Sequence, residues 1–393
     1  MSRQQEAAER MRAFVERTRV GSGEPGPRYL WTDAFAVCNL LGLAGAGVLP
    51  AGTELARRLV EQVHATLGRH DPAHGDAAPL GARDEASRRR SPTAAGLRIG
   101  KPLPERRPDE PVDARLEWER DGQYFHYLTR WMHALARLAA ATGEARYHVW
   151  AVELADAAFD AFVIRDRRGP RRMVWKMSVD LDRVLVPSMG LHDPLDGWVT
   201  SLQLAASRFA NGVQRDRLQQ QADDYRALCT GGDWSSPDPL GIGGLLVDAW
   251  RLWRACGSRE HGALVRLLES ARAGIAVARR EGLVRGAAAD RLAFRELGLS
   301  IGLHAIGLLA RATRRNADDE PLAASLARLD DERWLADAIE TTWRNPANRA
   351  AAAWRDHRDI NEVMLATSLA PAGYLGGEPA LAAVARSEAE VSR

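Results

Sequence analysis

Residues 238–257 read DPLGIGGLLVDAWRLWRACG, and they contain the start, the body and the end of one helix. Asp238 can cap the helix just before a proline at the first helical position. Apolar side chains then recur at three- and four-residue spacing as far as Ala255, and Gly257 follows as a stop signal. The stretch therefore predicts an amphipathic helix over 240–255.

A similar start occurs 45 residues earlier, where residues 193–197 read DPLDG. A repeat of this length suits a helical hairpin, and stacked hairpins bury their apolar faces in an open or closed array. Alternating strand patterns are almost absent, which favours an all-α chain. The same helical periodicity marks further segments at 121–141, 145–164, 196–209, 261–280 and 291–311.

Composition excludes several classes of protein. The chain has 393 residues, of which 46% are hydrophobic, enough to bury a large core, and we expect one domain over 1–393. A net charge of +2 argues against a nucleic-acid coat or a membrane-surface protein, and the basic residues are almost all arginine. The N-terminus lacks an apolar signal core, and we find no apolar run of about 18 residues. The three scattered cysteines fit a reducing compartment, so we expect a cytoplasmic protein.

One segment interrupts the helical pattern. Residues 68–111 are rich in glycine, proline and arginine, and a connection of this length is often a functional flap. Because its second half mixes apolar anchors with turns, we expect a long loop that lies across one end of the helical array.

Polar and aromatic residues cluster at the starts of several predicted helices. The first cluster contains Arg28, Tyr29, Trp31 and Asp33. Asp33 can be a first-turn carboxylate that the helix dipole favours, or an acid whose pKa rises among aromatic rings. The second cluster is the densest, with Trp118, Glu119, Asp121, Tyr124 and His126. Exposed acid–arginine pairs at a helix start are the structural alternative there.

The remaining clusters lie further along the chain. Trp175 is followed by His192 and Asp193, and a capping role can explain Asp193 but not His192. Glu296 and His304 lie on an apolar helix whose glycines indicate close helix packing. Two later residues, His357 and Glu362, flank another helix start, where Asp359 and Glu362 fit a capping box. If the array is closed, we expect all the clusters to line one cavity.

No motif indicates a metal, a nucleotide or DNA. The sequence has no HExxH, no phosphate-binding loop, no dinucleotide-binding fingerprint, no GxSxG and no DNA-reading motif. We therefore predict no metal and no cofactor. We also expect no nucleic-acid or membrane partner, and a small-molecule ligand.

Helical hairpins with polar and aromatic clusters at helix starts resemble the (α/α)6 toroid of the six-hairpin glycosidase superfamily. The Arg28–Phe35 segment is similar to the Trp-x-Asp segment of unsaturated-uronyl hydrolases, where the Asp is the catalytic acid/base. His192-Asp193 resembles their His-Asp pair, although Pro194-Leu195 replaces the glycine and aromatic residue that follow it there. Sugar 2-epimerases share the toroid, and the resemblance places their histidine pair on His304 and either His192 or His357.

These features predict a carbohydrate-active enzyme, first of all a glycoside hydrolase with paired carboxylates in a cleft rich in tryptophan. Its two acids would be Asp33 and one of Glu119, Asp121 or Asp193. A histidine-based sugar epimerase or isomerase is the alternative. A helical protein that binds a ligand or partner without chemistry is the alternative from another class.

Overall fold

The computed structural model of the protein describes residues 1–23, 26–75, 77–82, 84–165, 171–314 and 320–376. In these ranges the strands are β1 (Gln123–Tyr124), β2 (Val163–Arg165), β3 (Arg171–Met173), β4 (Lys176–Met177) and β5 (Val184–Val186). They form a three-stranded antiparallel sheet of order β1–β4–β5 and an antiparallel β2–β3 ribbon. The α-helices of the described ranges are α1 (Arg3–Arg17), α2 (Leu30–Gly45), α3 (Gly52–Leu67), α4 (Glu85–Arg90), α5 (Leu116–Glu119), α6 (Phe125–Thr142), α7 (Ala145–Phe162), α8 (Asp193–Ala205), α9 (Gly212–Leu228), α10 (Pro239–Cys256), α11 (His261–Arg280), α12 (Ala293–Thr313), α13 (Glu320–Asp330), α14 (Trp334–Arg344), α15 (Pro346–Arg349), α16 (Ala352–Arg355), α17 (Arg358–Leu369) and α18 (Ala372–Leu375).

Six of these helices form a closed inner ring. Helices α2, α6, α8, α10, α12 and α17 each pack against the next, and α17 returns to α2. An outer helix packs against each of them: α3, α7, α9 and α11 in turn, then α13 and α14 on α12, and α1 on α17. This arrangement is an (α/α)6 toroid, so the predicted fold class is confirmed. The two DPL sequences begin α8 and α10, which are consecutive inner helices.

Ion pairs join the two ends of the chain where the ring closes. Arg10 of α1 lies 2.5 Å from Glu362 of α17, and Arg17 lies 2.6 Å from Asp359. The predicted capping box is therefore wrong, since no side chain caps the start of α17 and both acids bind arginines of α1. Helix α1 thus completes the sixth hairpin with residues that are more than 300 positions away in sequence.

The two similar helix starts differ in their caps. Asp238 is the N-cap of α10, and its carboxylate accepts a hydrogen bond from the backbone N–H of Gly241, as predicted. At α8 the N-cap is His192, with no side-chain cap, and Asp193 is already the first helical residue. The predicted capping role of Asp193 is wrong, and its carboxyl group has a different environment, described below.

The segment 68–111 contains α4 and runs past the starts of two inner helices. The backbone N–H of Ile99 donates to the carbonyl of Gly122, while its own carbonyl accepts from the N–H of Leu30. The N–H of Leu97 donates to the side-chain oxygen of Gln123 at 2.8 Å. Leu97 and Ile99 are fully buried. The second half of the segment therefore fixes the starts of α2 and α6.

Helix α12 is the inner helix that the sequence predicts over 291–311. Among the described helices, it alone is long and apolar enough to cross a membrane by length and composition. However, 72% of its apolar window is buried within the protein, between α10 and α17. Its apolar character is therefore explained by its place in the ring.

Glycines allow α10 and α12 to approach closely. A Cβ atom added to Gly243 would lie 2.1 Å from the carbonyl oxygen of Gly298, and one added to Gly302 would lie 2.7 Å from the Cα of Gly243. These distances leave no space for even a methyl group. The close packing predicted from the glycines of α12 is thus present, and Gly243 of α10 is its counterpart.

This contact predicts opposite effects at two adjacent residues. Gly243→Ala should lower the free energy of unfolding by about 1–3 kcal/mol, because overpacking forces the backbones apart. At Gly244 an added Cβ would have only the Arg130 side chain at 3.9 Å, so Gly244→Ala should be neutral or raise stability by up to about 1 kcal/mol. Urea unfolding followed by far-ultraviolet circular dichroism measures both. Equal stability of the two variants would contradict the close approach.

Candidate functional site

A cavity of about 370 Å³ opens at one end of the ring, where the inner helices begin. Trp31, His126, Asp193 and Arg295 line it from the first turns of α2, α6, α8 and α12. Because these helix starts share one end, their N-terminal backbone dipoles also converge there, which favours negative charge in the cavity.

Asp193 is the most perturbed acid of the cavity. Its side chain is buried, and one carboxyl oxygen, Oδ2, has no hydrogen-bond partner. Burial, followed by the nearby Asp196 carboxylate, raises the pKa of Asp193 to about 8, against the lowering effect of Arg130. The loop glycine Gly190 lies directly on this carboxyl group, since an added Cβ would be 2.4 Å from Oδ2. Its environment therefore favours the protonated form of Asp193.

Two histidines line the same cavity and are neutral. The Nδ1 atom of His126 lies 3.8 Å from Oδ1 of Asp193, and burial with the charge of Arg130 lowers the pKa of His126 to about 3. Burial also lowers the pKa of His192, whose Nε2 lies 2.9 Å from the carbonyl oxygen of Trp234. Because a carbonyl only accepts, Nε2 of His192 carries the proton and Nδ1 retains its lone pair.

Buried ion pairs lie beneath these groups. One nitrogen of Arg130, Nη2, donates to both carboxylate oxygens of Asp196 at 3.0 and 3.2 Å. Arg251 donates to Asp248 at 2.9 Å and to the Thr200 hydroxyl at 3.0 Å. Burial and the adjacent Asp196 raise the pKa of Asp248 to about 7. The cavity floor is thus a network of acids and arginines that fixes the positions of its charges.

Aromatic rings form part of the cavity wall. The ring centroids of Trp31 and Phe35 are 4.4 Å apart, and Phe35 stacks on Tyr374 at 4.3 Å. Trp175 lines the mouth and meets the half-exposed Trp118 edge to face at 5.0 Å. Indole faces of this kind suit the C–H faces of rings and the binding of cations.

The structure brings some of the candidate residues from the sequence analysis into this cavity. Those that line it are Trp31, His126, Trp175, His192 and Asp193. Tyr124 stacks on His126 at 5.5 Å and on Trp118 at 6.2 Å, behind the cavity wall. Tyr29 lies in the next layer, where its hydroxyl is 2.6 Å from that of Tyr127.

Three acids of the hydrolase hypothesis, Asp33, Glu119 and Asp121, do not line the cavity. Asp33 is buried, lies 3.6 Å from the buried Arg28 and accepts from the backbone N–H of Tyr29. Burial raises the pKa of Asp33 to about 6, although it does not line the cavity. Asp121 is bound to Arg98 at 2.8 Å, and the side chain of Glu119 is exposed.

Other candidates on α12 and near α17 also point elsewhere. Glu296 accepts two hydrogen bonds from Arg291 and one from the indole of Trp343. His304 lies 2.8 Å from Glu340, on the side of α12 that faces α14. The remaining two are His357, whose ring meets Phe294 at 5.7 Å, and Glu362, which is paired with Arg10.

The sequence analysis did not single out Arg130, Asp196, Asp248 or Tyr374, all of which line the cavity. A signal for Asp248 was present, because a carboxylate within an otherwise apolar helix needs a buried partner. Tyr374 gave no such signal. Among the described residues, no group of three or more His, Cys, Asp or Glu side chains is arranged to hold a metal ion.

No protein-family model matches the sequence, and no curated protein matches it. The solved structure of cellobiose 2-epimerase from Spirochaeta thermophila is similar, with 13% identity, 87% of each chain covered and a TM-score of 0.47. A sugar epimerase structure from a ruminal bacterium has 11% identity, with 84% of this chain and 85% of that chain covered, and also a TM-score of 0.47. Similarity at this level carries no argument about function. The assignment of the fold as a toroid is based on the contacts between its helices.

The raised pKa of Asp193 predicts a pH-dependent stability. Above about pH 4 the unfolded chain releases this proton while the folded protein retains it, so the native state loses stability until the pH passes about 8. The amide introduced by Asp193→Asn does not titrate, so the unfolded variant releases no proton at this position and the associated loss of stability is absent. Its melting temperature should therefore exceed that of the unchanged protein by a margin that grows between pH 4 and pH 8.

Asp233 provides a control of opposite sign. The backbone N–H of Ser235 donates to its carboxylate at 2.9 Å and lowers its pKa. At pH values above 4, Asp233→Asn should therefore cause a small decrease in the melting temperature, because a stabilised carboxylate is lost. Differential scanning calorimetry at several pH values checks both variants. A pH-independent difference for Asp193→Asn would show that Asp193 is ionised in the folded protein.

Proposed function

We propose that this protein is a carbohydrate-active enzyme that epimerises or isomerises a sugar by proton transfer. One observation carries the proposal: a proton-bearing acid, Asp193, and two neutral histidines, His126 and His192, line the same cavity. Acid and base groups held together in this way are what the removal of a proton next to a carbonyl group requires.

Each group has a role that its environment supports. The free Nδ1 of His192 accepts the proton from the carbon beside the carbonyl, and Trp234 fixes its tautomer. Asp193 donates its proton to the carbonyl oxygen, which gives a neutral enediol instead of an enediolate. In isomerisation the His192 imidazolium returns its proton to the neighbouring carbon; in epimerisation it passes this proton to His126, which delivers one to the opposite face of the same carbon. The carboxylate of Asp193 recovers its proton from the enediol hydroxyl, so each group ends in its starting state.

The remaining cavity wall fits a sugar ring. Trp31 and Trp175 offer indole faces to the C–H face of a pyranose. Arg295 and Asp238, which pair with each other at 2.8 Å at the mouth, offer a donor and an acceptor for hydroxyl groups. The solved structures compared above are sugar epimerases by name, but the proposal rests on this cavity alone.

Glycoside hydrolysis is the second candidate, and Asp193 is again the observation that favours it. A carboxylic acid that keeps its proton at neutral pH is suited to protonate a leaving oxygen. The second carboxylate would then be Asp238, which lines the same cavity. Asp33, Glu119 and Asp121 support this candidate less, because they do not line the cavity.

Proton exchange distinguishes the two reactions. The protein is incubated in D₂O with a panel of reducing mono- and disaccharides, and proton NMR follows the loss of the signal from the proton at carbon 2. An epimerase or isomerase replaces this proton with deuterium, whereas a hydrolase leaves it in place and releases sugar from glycosides in a parallel panel. If sugars bind without exchange or hydrolysis, the non-catalytic alternative applies.

The proposed roles predict which variants lose the exchange activity. His192→Gln and Asp193→Asn should each lower the rate about 10²–10⁴-fold with the fold intact, as expected for loss of a general base or acid. The control is His357→Gln, the same substitution at an exposed histidine away from the cavity, which should keep the full rate. Full activity of His192→Gln would remove His192 from the mechanism.

A further inference from the structure

Lysine occurs at only two positions in this arginine-rich chain, 101 and 176, and the structure brings both to one aromatic ring. The Nζ atoms of Lys101 and Lys176 lie 5.6 and 5.4 Å from the ring centroid of Tyr124, within the range of a cation–π interaction. Lys101 belongs to the 68–111 segment and Lys176 to β4. Neither residue has a role in the function proposed above.

Both ammonium groups bind carbonyl oxygens at the end of α5. Lys101 donates to the carbonyl oxygen of Trp118, while Lys176 donates to those of Glu117 and Arg120, the latter at 2.8 Å. The last carbonyl groups of a helix have no partner within it, and burying them without a donor costs free energy. A lysine nitrogen is compact and carries three donors, so the fully buried Lys176 can serve two carbonyls at once. The two lysines therefore fix the course of the chain through residues 117–120.

This turn carries Trp118 to the mouth of the cavity. Trp118 is 38% exposed, stacks on Tyr124 at 6.2 Å and meets Trp175 edge to face at 5.0 Å. Trp175 in turn lines the cavity. A partly exposed indole can change its rotamer unless its backbone and neighbouring rings are fixed. The two lysines fix both, since they hold the turn and lie over the ring of Tyr124.

We propose that Lys101 and Lys176 are positioning residues, which hold Trp118 against Trp175 so that its exposed indole contacts the part of the substrate at the cavity mouth. The lysines act through Trp118 and touch no reacting atom. A cavity of about 370 Å³ is at the small end of ligand pockets, so a contact at its mouth adds to the binding surface. The contact with substrate rests on the proposed function, whereas the positioning of Trp118 does not.

The tryptophan pair gives a readout that needs no ligand. Two indoles with centroids 5.0 Å apart couple their electronic transitions and produce a signal of paired sign in far-ultraviolet circular dichroism. The Trp118 signal is defined as the part of the spectrum that is lost in Trp118→Phe but kept in the control Trp334→Phe, at a similarly exposed tryptophan of α14. Lys101→Met keeps the hydrocarbon stem without the ammonium group. It should lose most of the Trp118 signal although Trp118 is still present.

Acetylation supplies a second measurement if Lys101→Met fails to fold. Lys176 is fully buried and Lys101 is partly exposed, so an acetylating reagent should modify Lys101 and the N-terminal amine of the folded protein. Loss of the charge over Tyr124 should then lower the Trp118 signal. The control is Lys101→Arg, which keeps a charge and donors and can be acetylated only at the N-terminus. Mass spectrometry locates the acetyl groups.

Kinetics connect the position of Trp118 to the substrate. With the sugar that the exchange assay identifies, Trp118→Ala and Lys101→Met should each raise KM about threefold to tenfold and leave kcat unchanged, because a contact away from the reacting carbon is lost. The control is Trp334→Ala, which should change neither constant. The double variant of Lys101→Met and Trp118→Ala should be no weaker than Trp118→Ala alone, since Lys101 acts through Trp118.

The outcomes separate this inference from the proposed function. An undiminished Trp118 signal in Lys101→Met, or in the acetylated protein where that variant does not fold, overturns the positioning role. Loss of the signal with an unchanged KM overturns the contact with substrate and leaves the proposed function standing, and additive effects on KM in the double variant do the same. If no sugar is exchanged, the proposed function fails, while loss of the signal in Lys101→Met still supports the positioning of Trp118.

Discussion

The common direction of the six inner helices is the constraint on which the site depends. Each inner helix is followed or preceded by an outer helix that carries the chain back, so all the starts lie at one end of the ring. The hydrogen bond from the backbone N–H of Phe294 to the side-chain oxygen of Asn361 joins the starts of α12 and α17 directly. Segments that are up to several hundred residues apart therefore supply side chains to a single cavity.

Burial then decides the charges in that cavity. Asp193, Asp196 and Asp248 face two arginines, Arg130 and Arg251, so three ionised carboxylates would leave one negative charge without a partner. Removing an unpaired charge from water is costly, and the buried cluster avoids this by keeping one proton. The positive ends of the helix dipoles act in the other direction, but the arginines already hold the two carboxylates nearest to them. Burial raises the pKa of Asp193 to about 8 and that of Asp248 to about 7, so Asp193, the acid at the cavity surface, takes up a proton first as the pH falls, which is the property that an acid catalyst needs.

The two sides of α12 pack in different ways as the ring closes. On its α10 side, α12 presents glycines and packs backbone against backbone. On the α14 side its polar residues join a buried cluster, in which Ser300, Ser368 and His304 all contact the carboxylate of Glu340, and Arg3 of α1 binds the same group. His304 therefore helps to fix Glu340 of α14, which in turn binds Arg3 near the N-terminus. A histidine on an apolar helix has this structural role here, because its side chain points away from the cavity.

The sequence by itself determined the helices, the hairpin repeat and the grouping of polar and aromatic residues at helix starts. Periodicity and capping signals are local, so Asp238 could be recognised as a cap from five neighbouring residues. The sequence also indicated five residues that line the cavity, namely Trp31, His126, Trp175, His192 and Asp193. Only the tertiary structure decided that Asp193 is not a cap, that Asp33 is enclosed with Arg28, and that Asp248 and Tyr374 belong to the site. The reason is that a side chain at a helix start can turn toward the ring, toward a neighbouring loop or toward solvent, and the partners that fix its direction come from distant parts of the chain.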